Sequence, residues 1–444
     1  MQISYSFTAA GVNSCSGFCN YCSAASSMSY SFMKQDFSKL KDNIIKTDEK
    51  TYNEFKADFN KVEETLDNDP QIKNVFEARK KNPAEEVIMN VDLWGADPLT
   101  CKSALQEMLD FLRDYCVKRG FILKAHTSTN GLPLIIDEYA EWLIENKVGL
   151  QLSHDGLGQW MRTQDIDPMT FDNTKALIKC GTLNWINATL NFWNNSLYKN
   201  IDYFTEHLKS IFPEVYDKNK CCTEEDDRVF RSLFIKLNHI YDSKYDIKAK
   251  NEKGLYNGKE YETLKNQPIG DLAFRNDYEL ARLYNIPELG HVLDNHMAEW
   301  DRISYDVENP SVILLPFVGY LSNQMSRNKY YKSHDELNSG ACRVFQKGLK
   351  DTTFVIDTLG NYSQCNLIDS EHKVENPECK QPPMCKGCKF EFSEACNGCG
   401  SVVPRQDDCH YLYAWNEFIE RYRARKQNER IAIKRYLAAQ IAKI

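Results

Sequence analysis

Residues 86–100 read EVIMNVDLWGADPLT. The first nine, EVIMNVDLW (86–94), read as a strand. GADPLT then turns the chain into a helix predicted over 101–119. The pattern repeats on either side. FILKAHTSTNG (121–131) is a strand ending in Asn-Gly, with a helix at 135–147. VGLQLSHDG (148–156) and TLNWINATLNFW (182–193) are two further strands, and ISYSFTAA (3–10) is an earlier one. Strands alternating with amphipathic helices predict a parallel β/α arrangement. In such sheets and barrels function collects at the carboxyl ends of the strands. Here those ends follow residues 10, 94, 129 and 153.

Two stretches interrupt the alternation. Residues 34–86 are charged with helical spacing: Phe37, Leu40, Ile44 and Ile45, then Tyr52, Phe55 and Phe59, then Val62 and Leu66. They predict two or three inserted helices. Residues 198–309 are polar and largely helical in pattern, far longer than an ordinary βα loop of roughly 2–6 residues. SVILLPFVGYL (311–321) reads as a further strand. The expected architecture is α/β: a partial (β/α)6 TIM-like barrel over 1–335 with helical insertions at 34–86 and 198–309. A small cysteine-rich domain over 336–412 and a C-terminal helix over 413–444 follow. That helix carries Trp415, Phe418, Ile419 and Tyr422, and eight Lys/Arg from Arg421 on. It reads as a solvated amphipathic face, with docking of a peptide or partner as the alternative.

The chain has 444 residues, 42% of them hydrophobic, so it can bury a sizeable core. Its formal charge of −8 gives no reason to expect nucleic acid as the main partner. No run of eighteen or more apolar residues predicts a membrane span. The opening MQISYSFTAAGVNS has no basic segment ahead of an apolar core, so no secretory leader is expected and the chain is placed in the cytoplasm. Sixteen cysteines there point to metal or redox chemistry, not a disulfide framework. Cys101, Cys116, Cys180, Cys221 and Cys222 are scattered and lack ligand spacing. They read mostly as buried small hydrophobes or unremarkable thiols, with the 221–222 pair exposed.

The other eleven are clustered. Cys15, Cys19 and Cys22 stand in GVNSCSGFCNYCSA (11–24), spaced C-x3-C-x2-C. Three thiolates can hold three irons of a [4Fe–4S] cube and leave the fourth iron open to a small molecule. The alternative is a zinc knuckle completed by a distant histidine, the first in the chain being His126.

C-x3-C-x2-C after an N-terminal strand, with an aromatic residue at Tyr21 just before the last cysteine, resembles the radical S-adenosylmethionine superfamily. The resemblance implies that the open iron chelates S-adenosylmethionine. One electron then releases a 5′-deoxyadenosyl radical that abstracts hydrogen from the substrate. Further segments are similar to the family's. Trp94-Gly95-Ala96-Asp97-Pro98-Leu99 stands where GGEP is usual: small residues allow close backbone approach, and Asp97 offers an acceptor for the cofactor's ammonium group. One glycine is lost, and the acid is shorter by a methylene. Ser128-Thr129-Asn130-Gly131 resembles the TNG turn, and Ser153-His154-Asp155-Gly156 the S-x-D-G turn. Gly95, Ala96, Asp97, Asn130, Ser153, Asp155 and Tyr21 are the implied cofactor contacts, although Asn-Gly and Asp-Gly also form plain turns. His126 and His154 lie at strand ends with no partner visible in sequence and read as polar packing residues.

Cys342, then Gly360 and Cys365, match the first half of the SPASM pattern. Cys385, Cys388, Cys396, Cys399 and Cys409 resemble its second half, with altered gaps. Interleaved ligation would give Cys385, Cys388, Cys396 and Cys409 to an outer cluster and Cys342, Cys365 and Cys399 to an inner one, with Cys379 as candidate fourth ligand. Two four-cysteine zinc sites are the alternative. The resemblance covers 1–160 and 340–412. It implies three [4Fe–4S] clusters, a peptide or protein substrate such as a ribosomally made precursor, and an electron donor such as flavodoxin or ferredoxin. Neither nucleic acid nor membrane is implied. Three functions are weighed: cross-linking or other oxidation of a peptide side chain; sulfatase-maturase-like oxidation of Cys or Ser to formylglycine; and a non-catalytic iron–sulfur or zinc module. In the sulfatase-maturase subfamily an Asp base follows the G-x4-C cysteine, and here Asn366 stands there. Catalytic acid and base residues are not legible.

Overall fold

The computed structural model describes residues 1–9, 14–16, 37–163, 166–190, 203–204, 206–207, 210, 235–239, 355–363 and 387. Eight strands form one sheet: β1 (Gln2–Thr8), β2 (Ile88–Trp94), β3 (Ile122–Thr129), β4 (Gly149–Ser153), β5 (Leu183–Leu190), β6 (Ile235–His239), β7 (Val355–Asp357) and β8 (Tyr362–Ser363). Their order is β6-β5-β4-β3-β2-β1-β7-β8. Every pairing is parallel except the closing β7–β8 hairpin. Among the described residues the sheet is unclosed, so the α/β expectation of a partial barrel holds.

The intervening helices are α1 (Leu40–Glu54), α2 (Phe59–Asn68), α3 (Pro70–Lys81), α4 (Lys102–Arg119), α5 (Asp137–Glu145), α6 (Trp160–Thr163) and α7 (Asp172–Lys179). Their limits follow from local chemistry. Asp58 accepts from the Lys61 N–H at 3.1 Å and starts α2; Asp69 accepts from the Gln71 N–H at 2.8 Å and, with Pro70 behind it, starts α3. Asp69 also receives the buried Tyr5 hydroxyl at 2.9 Å, which fixes α3 to β1.

One sheet face is apolar: Met89, Val91 and Leu93 of β2 and Leu150 and Leu152 of β4 join Leu105, Leu109, Leu112, Leu143 and Leu177 in the core. The other face is polar. Asn90, Asp92 and Trp94 of β2, Lys124, His126 and Ser128 of β3, and Gln151 and Ser153 of β4 keep contact with solvent. Parallel sheets covered on both faces read as continuous apolar runs. Strict alternation here marks an open polar face, as on the inside of an unfinished barrel.

Two findings differ from the expected layout. The 198–309 stretch is not helical throughout, because 235–239 is a sixth parallel strand beside β5. Its sequence, IKLNH, already alternates in the strand manner, but the polar surroundings mask so short a run. Residues 355–363, expected within the separate cysteine-rich domain, hydrogen-bond into the sheet beside β1. The inserted helices hold that hairpin. The Asp58 N–H donates to the Thr358 carbonyl at 2.6 Å, and the Thr65 hydroxyl to the Gly360 carbonyl at 3.0 Å. The expected strand at 311–321, the helix at 413–444 and Cys221 and Cys222 lie outside the described residues. Cys101 and Cys116 are buried as expected, whereas Cys180 is exposed. No helix among the described residues is long and apolar enough to cross a membrane.

Candidate active site

Because β1 to β4 are parallel, the segments that follow them gather at one edge of the sheet. Cys15 follows β1, Gly95–Asp97 follow β2, Asn130 follows β3, and Ser153–Asp155 end β4. Cys15 and Asp97 are buried, and Gly95, Ala96 and Ser153 half-buried. The loops are joined by hydrogen bonds. The Asp97 N–H donates to the Ser14 carbonyl at 3.0 Å, and the Asn130 N–H to Asp97 Oδ2 at 3.2 Å. Asn130 Nδ2 donates to Cys15 Sγ at 3.6 Å and to Ser16 Oγ at 3.0 Å. Asn130 Oδ1 takes the Leu132 N–H at 2.9 Å, closing its own turn. Gly131 completes that turn at φ +89°, where a Cβ would stand 2.5 Å from Pro168 Cβ and 2.7 Å from Leu152 Cδ1. Only glycine fits there.

Asp97 is the least comfortable group. Burial pushes its carboxyl up to about 6, against the pull of the Asn130 N–H, the Thr129 hydroxyl, the Arg162 guanidinium and the Leu99 N–H. Its Oδ1 is buried and makes no hydrogen bond among the described residues. An unsatisfied buried carboxylate oxygen costs free energy that a cationic N–H donor would recover.

Asp155 is fully buried and paired with Arg162, with Nη2 at 3.0 Å from Oδ1 and Nε at 3.3 Å from Oδ2. The Gln159 side-chain carbonyl accepts the Asp155 N–H at 2.9 Å. His154, read from sequence as partnerless, is buried against Asp167 at 2.9 Å. His126 meets Asn184 at 3.3 Å and stands opposite Asp92 in the register. Burial lowers the His126 pKa and raises that of Asp92.

Sequence reasoning missed Arg162 and Asp167. Their only sequence signal is charge just beyond a strand-end turn. It also missed the polar sheet face, which was legible as period-two polarity in strands assigned as parallel. Of the expected metal ligands, Cys15 alone is described. Tyr21, Cys19, Cys22, Cys342, Cys365, Cys379, Cys385, Cys388, Cys396, Cys399 and Cys409 lie outside the described residues, as does Asn366. Among the described residues no three His, Cys, Asp or Glu side chains gather as a metal site.

No family model matches the chain, and no curated protein matches it. Among solved structures the chain is similar to native anSMEcpe with bound AdoMet and a Cp18Cys peptide, at 13% identity and TM-score 0.45, over 99% of each chain. It is also similar to a polyhistidine-tagged form of anSMEcpe with bound AdoMet, at 15% identity and TM-score 0.46, over 95% of this chain and 96% of that one. anSMEcpe is an anaerobic sulfatase-maturating enzyme. The overlays are loose.

Proposed function

We propose that the chain is a radical S-adenosylmethionine enzyme that modifies a side chain of a peptide or protein. The observation that carries this reading is Asp97, whose buried Oδ1 lacks a hydrogen bond among the described residues, at the same sheet edge as Cys15. The amino group of S-adenosylmethionine is an N–H donor of the kind that oxygen lacks. Cys15 receives an N–H donor from Asn130, which suits a thiolate. With Cys19 and Cys22 it would hold a [4Fe–4S] cluster. When bound, cluster and cosubstrate supply a carbon-centred radical that takes hydrogen from the substrate.

The chain's own residues bind and orient. Gly95 and Ala96 would let the methionine moiety lie close to the backbone. Ser153 and Asp155 would offer oxygen acceptors to hydroxyl groups, and Tyr21 and Asn130 would complete the wall. The half-open polar face of β2–β4 suits a peptide, whose main chain needs many hydrogen-bonding partners. Cys342, Cys365, Cys379, Cys385, Cys388, Cys396, Cys399 and Cys409 would hold two auxiliary clusters, with flavodoxin or ferredoxin as electron donor. The finer reading is oxidative cross-linking within a ribosomally made peptide. Oxidation of Cys or Ser to formylglycine is the runner-up, because Asn366 cannot serve as the carboxylate base expected there.

Anaerobically reconstituted protein is expected to hold about twelve irons and to release 5′-deoxyadenosine under reductant, three cubes being filled. Cys15, Cys19 and Cys22 changed together to Ala should leave about eight irons and no release. Release by the triple variant overturns the proposal. A loss of hydrogen mass in a small peptide encoded beside the chain supports the cross-linking reading. An aldehyde in a sulfatase peptide supports the runner-up.

A further inference from the structure

We propose that Asp167, acting through His154, positions the Asp155–Arg162 ion pair at the end of β4. The inference rests on reading that edge as the S-adenosylmethionine site.

The geometry fixes a proton. The Gly156 N–H can only donate, and it lies 3.1 Å from His154 Nδ1. Nδ1 therefore carries a lone pair, and the ring proton sits on Nε2, which faces Asp167 Oδ1 at 2.9 Å. The other tautomer would set two donors against each other at Gly156. Asp167 is itself saturated. Oδ1 also takes the Met169 N–H at 2.9 Å, and Oδ2 takes the Tyr203 hydroxyl at 2.7 Å and His207 Nε2 at 3.1 Å. These donors hold the carboxylate ionised, well below its usual range, although burial alone would raise it.

The imidazole is also locked in place. It is fully buried, with Phe204 edge-on at 5.5 Å and Tyr203 stacked at 5.9 Å. Both ring nitrogens are committed, so the ring does not exchange protons with a substrate. What it does is close the turn at Gly156. That turn carries Asp155, whose carboxylate grips Arg162. Arg162 in turn lowers the Asp97 carboxyl across the site. The chain of effect runs from Asp167 through His154 and Gly156 to Asp155 and Asp97, the two acids that would hold the cofactor. Tyr203 and His207, from the segment after β5, bear on the same carboxylate.

Two measurements test this. Nitrogen-15 NMR of histidine-labelled parent protein should show one ring with Nε2 protonated and Nδ1 unprotonated, unchanged across the neutral range. That signal should vanish in His154→Asn. A His154 that titrates there, or carries its proton on Nδ1, overturns the inference with no ligand involved. Calorimetric titration of S-adenosylmethionine into the reconstituted, unreduced protein is the second. His154→Leu deletes the acceptor for Gly156 and should raise Kd by about tenfold, the scale of one lost buried hydrogen bond. His154→Asn keeps an acceptor near the Nδ1 position and should recover most of the affinity. Equal affinity in His154→Leu and parent overturns the inference, as does an Asn variant as weak as Leu. A parent that does not bind S-adenosylmethionine overturns the cofactor reading, and with it the positioning role. The tautomer result would still stand separately.

Discussion

Asn130 and Cys15 are joined across the site edge: the side-chain amide from the end of β3 donates to the thiol sulfur beyond β1 at 3.6 Å. The same residue reaches Asp97 through its backbone N–H, so it ties a candidate cluster ligand to a candidate cosubstrate ligand.

Asn130→Asp exchanges that donor for an acceptor and adds a negative charge beside the thiol. Reconstituted variant protein should retain fewer irons than the parent, and its affinity for S-adenosylmethionine should fall by at least about tenfold. Iron analysis and calorimetry check both. Parental iron content and affinity would show that the amide contributes nothing.

Asp97 predicts a conflict between stability and function. Its pKa is raised from 3.8 to about 6, so the native state holds the proton more tightly than the unfolded chain does. The cost of ionising it develops as pH rises from about 4 to about 6 and is complete above that, up to about 3 kcal/mol. Asp97→Asn should therefore raise the melting temperature at pH 7.5 and leave it nearly unchanged at pH 4. The same variant should bind S-adenosylmethionine weakly. Thermal denaturation at the two pH values reads the sign.

Asp48 of α1 caps a helix it is remote from in sequence. Its carboxylate accepts the Ser103 N–H at 3.0 Å, the Ser103 hydroxyl at 2.9 Å and the Tyr139 hydroxyl at 3.2 Å. Asp48→Ala should cost about 2–4 kcal/mol, because three buried or half-buried donors lose their acceptor. Asp48→Asn, which keeps one carbonyl oxygen, should cost less. Denaturant titration of the two variants separates them.

Gly360 turns between β7 and β8 at φ +76°, where a Cβ would lie 2.9 Å from the Lys61 carbonyl carbon and 3.0 Å from its oxygen. Neither backbone atom can step aside cheaply. Gly360→Ala should destabilise the protein by about 1–3 kcal/mol through strain and clash. An unchanged melting temperature would show that α2 and the hairpin separate freely.

Most of the strand and helix pattern between 86 and 190 was legible because it is local. Each strand carries its own alternation, and each turn its own Gly, Asn or Asp. Asp97, Asn130 and Asp155 were legible for the same reason: they are turn chemistry at strand ends. What sequence did not disclose is pairing at a distance. Nothing in VID at 355–357 announces β1 as its neighbour, since a strand's register is set by its partner and its buried face. Asp48 reaches α4, and Asp167 reaches His154, through folded space that no spacing rule spans. Arg162 looked like one surface charge among many until the turn folded it onto Asp155.

The position of β1 has a consequence for how the chain is made. This strand precedes the rest of the sheet in the sequence, yet it is an interior strand, flanked by β2 on one side and by β7 on the other. Residues 355–357 leave the ribosome long after β1 to β6. Throughout that interval the backbone groups of Ser6, Phe7 and Thr8 that later pair with β7 form an open edge, next to the thiols that follow. The nascent protein therefore carries a cysteine-bearing loop beside an unpaired strand edge until β7 emerges and pairs with it.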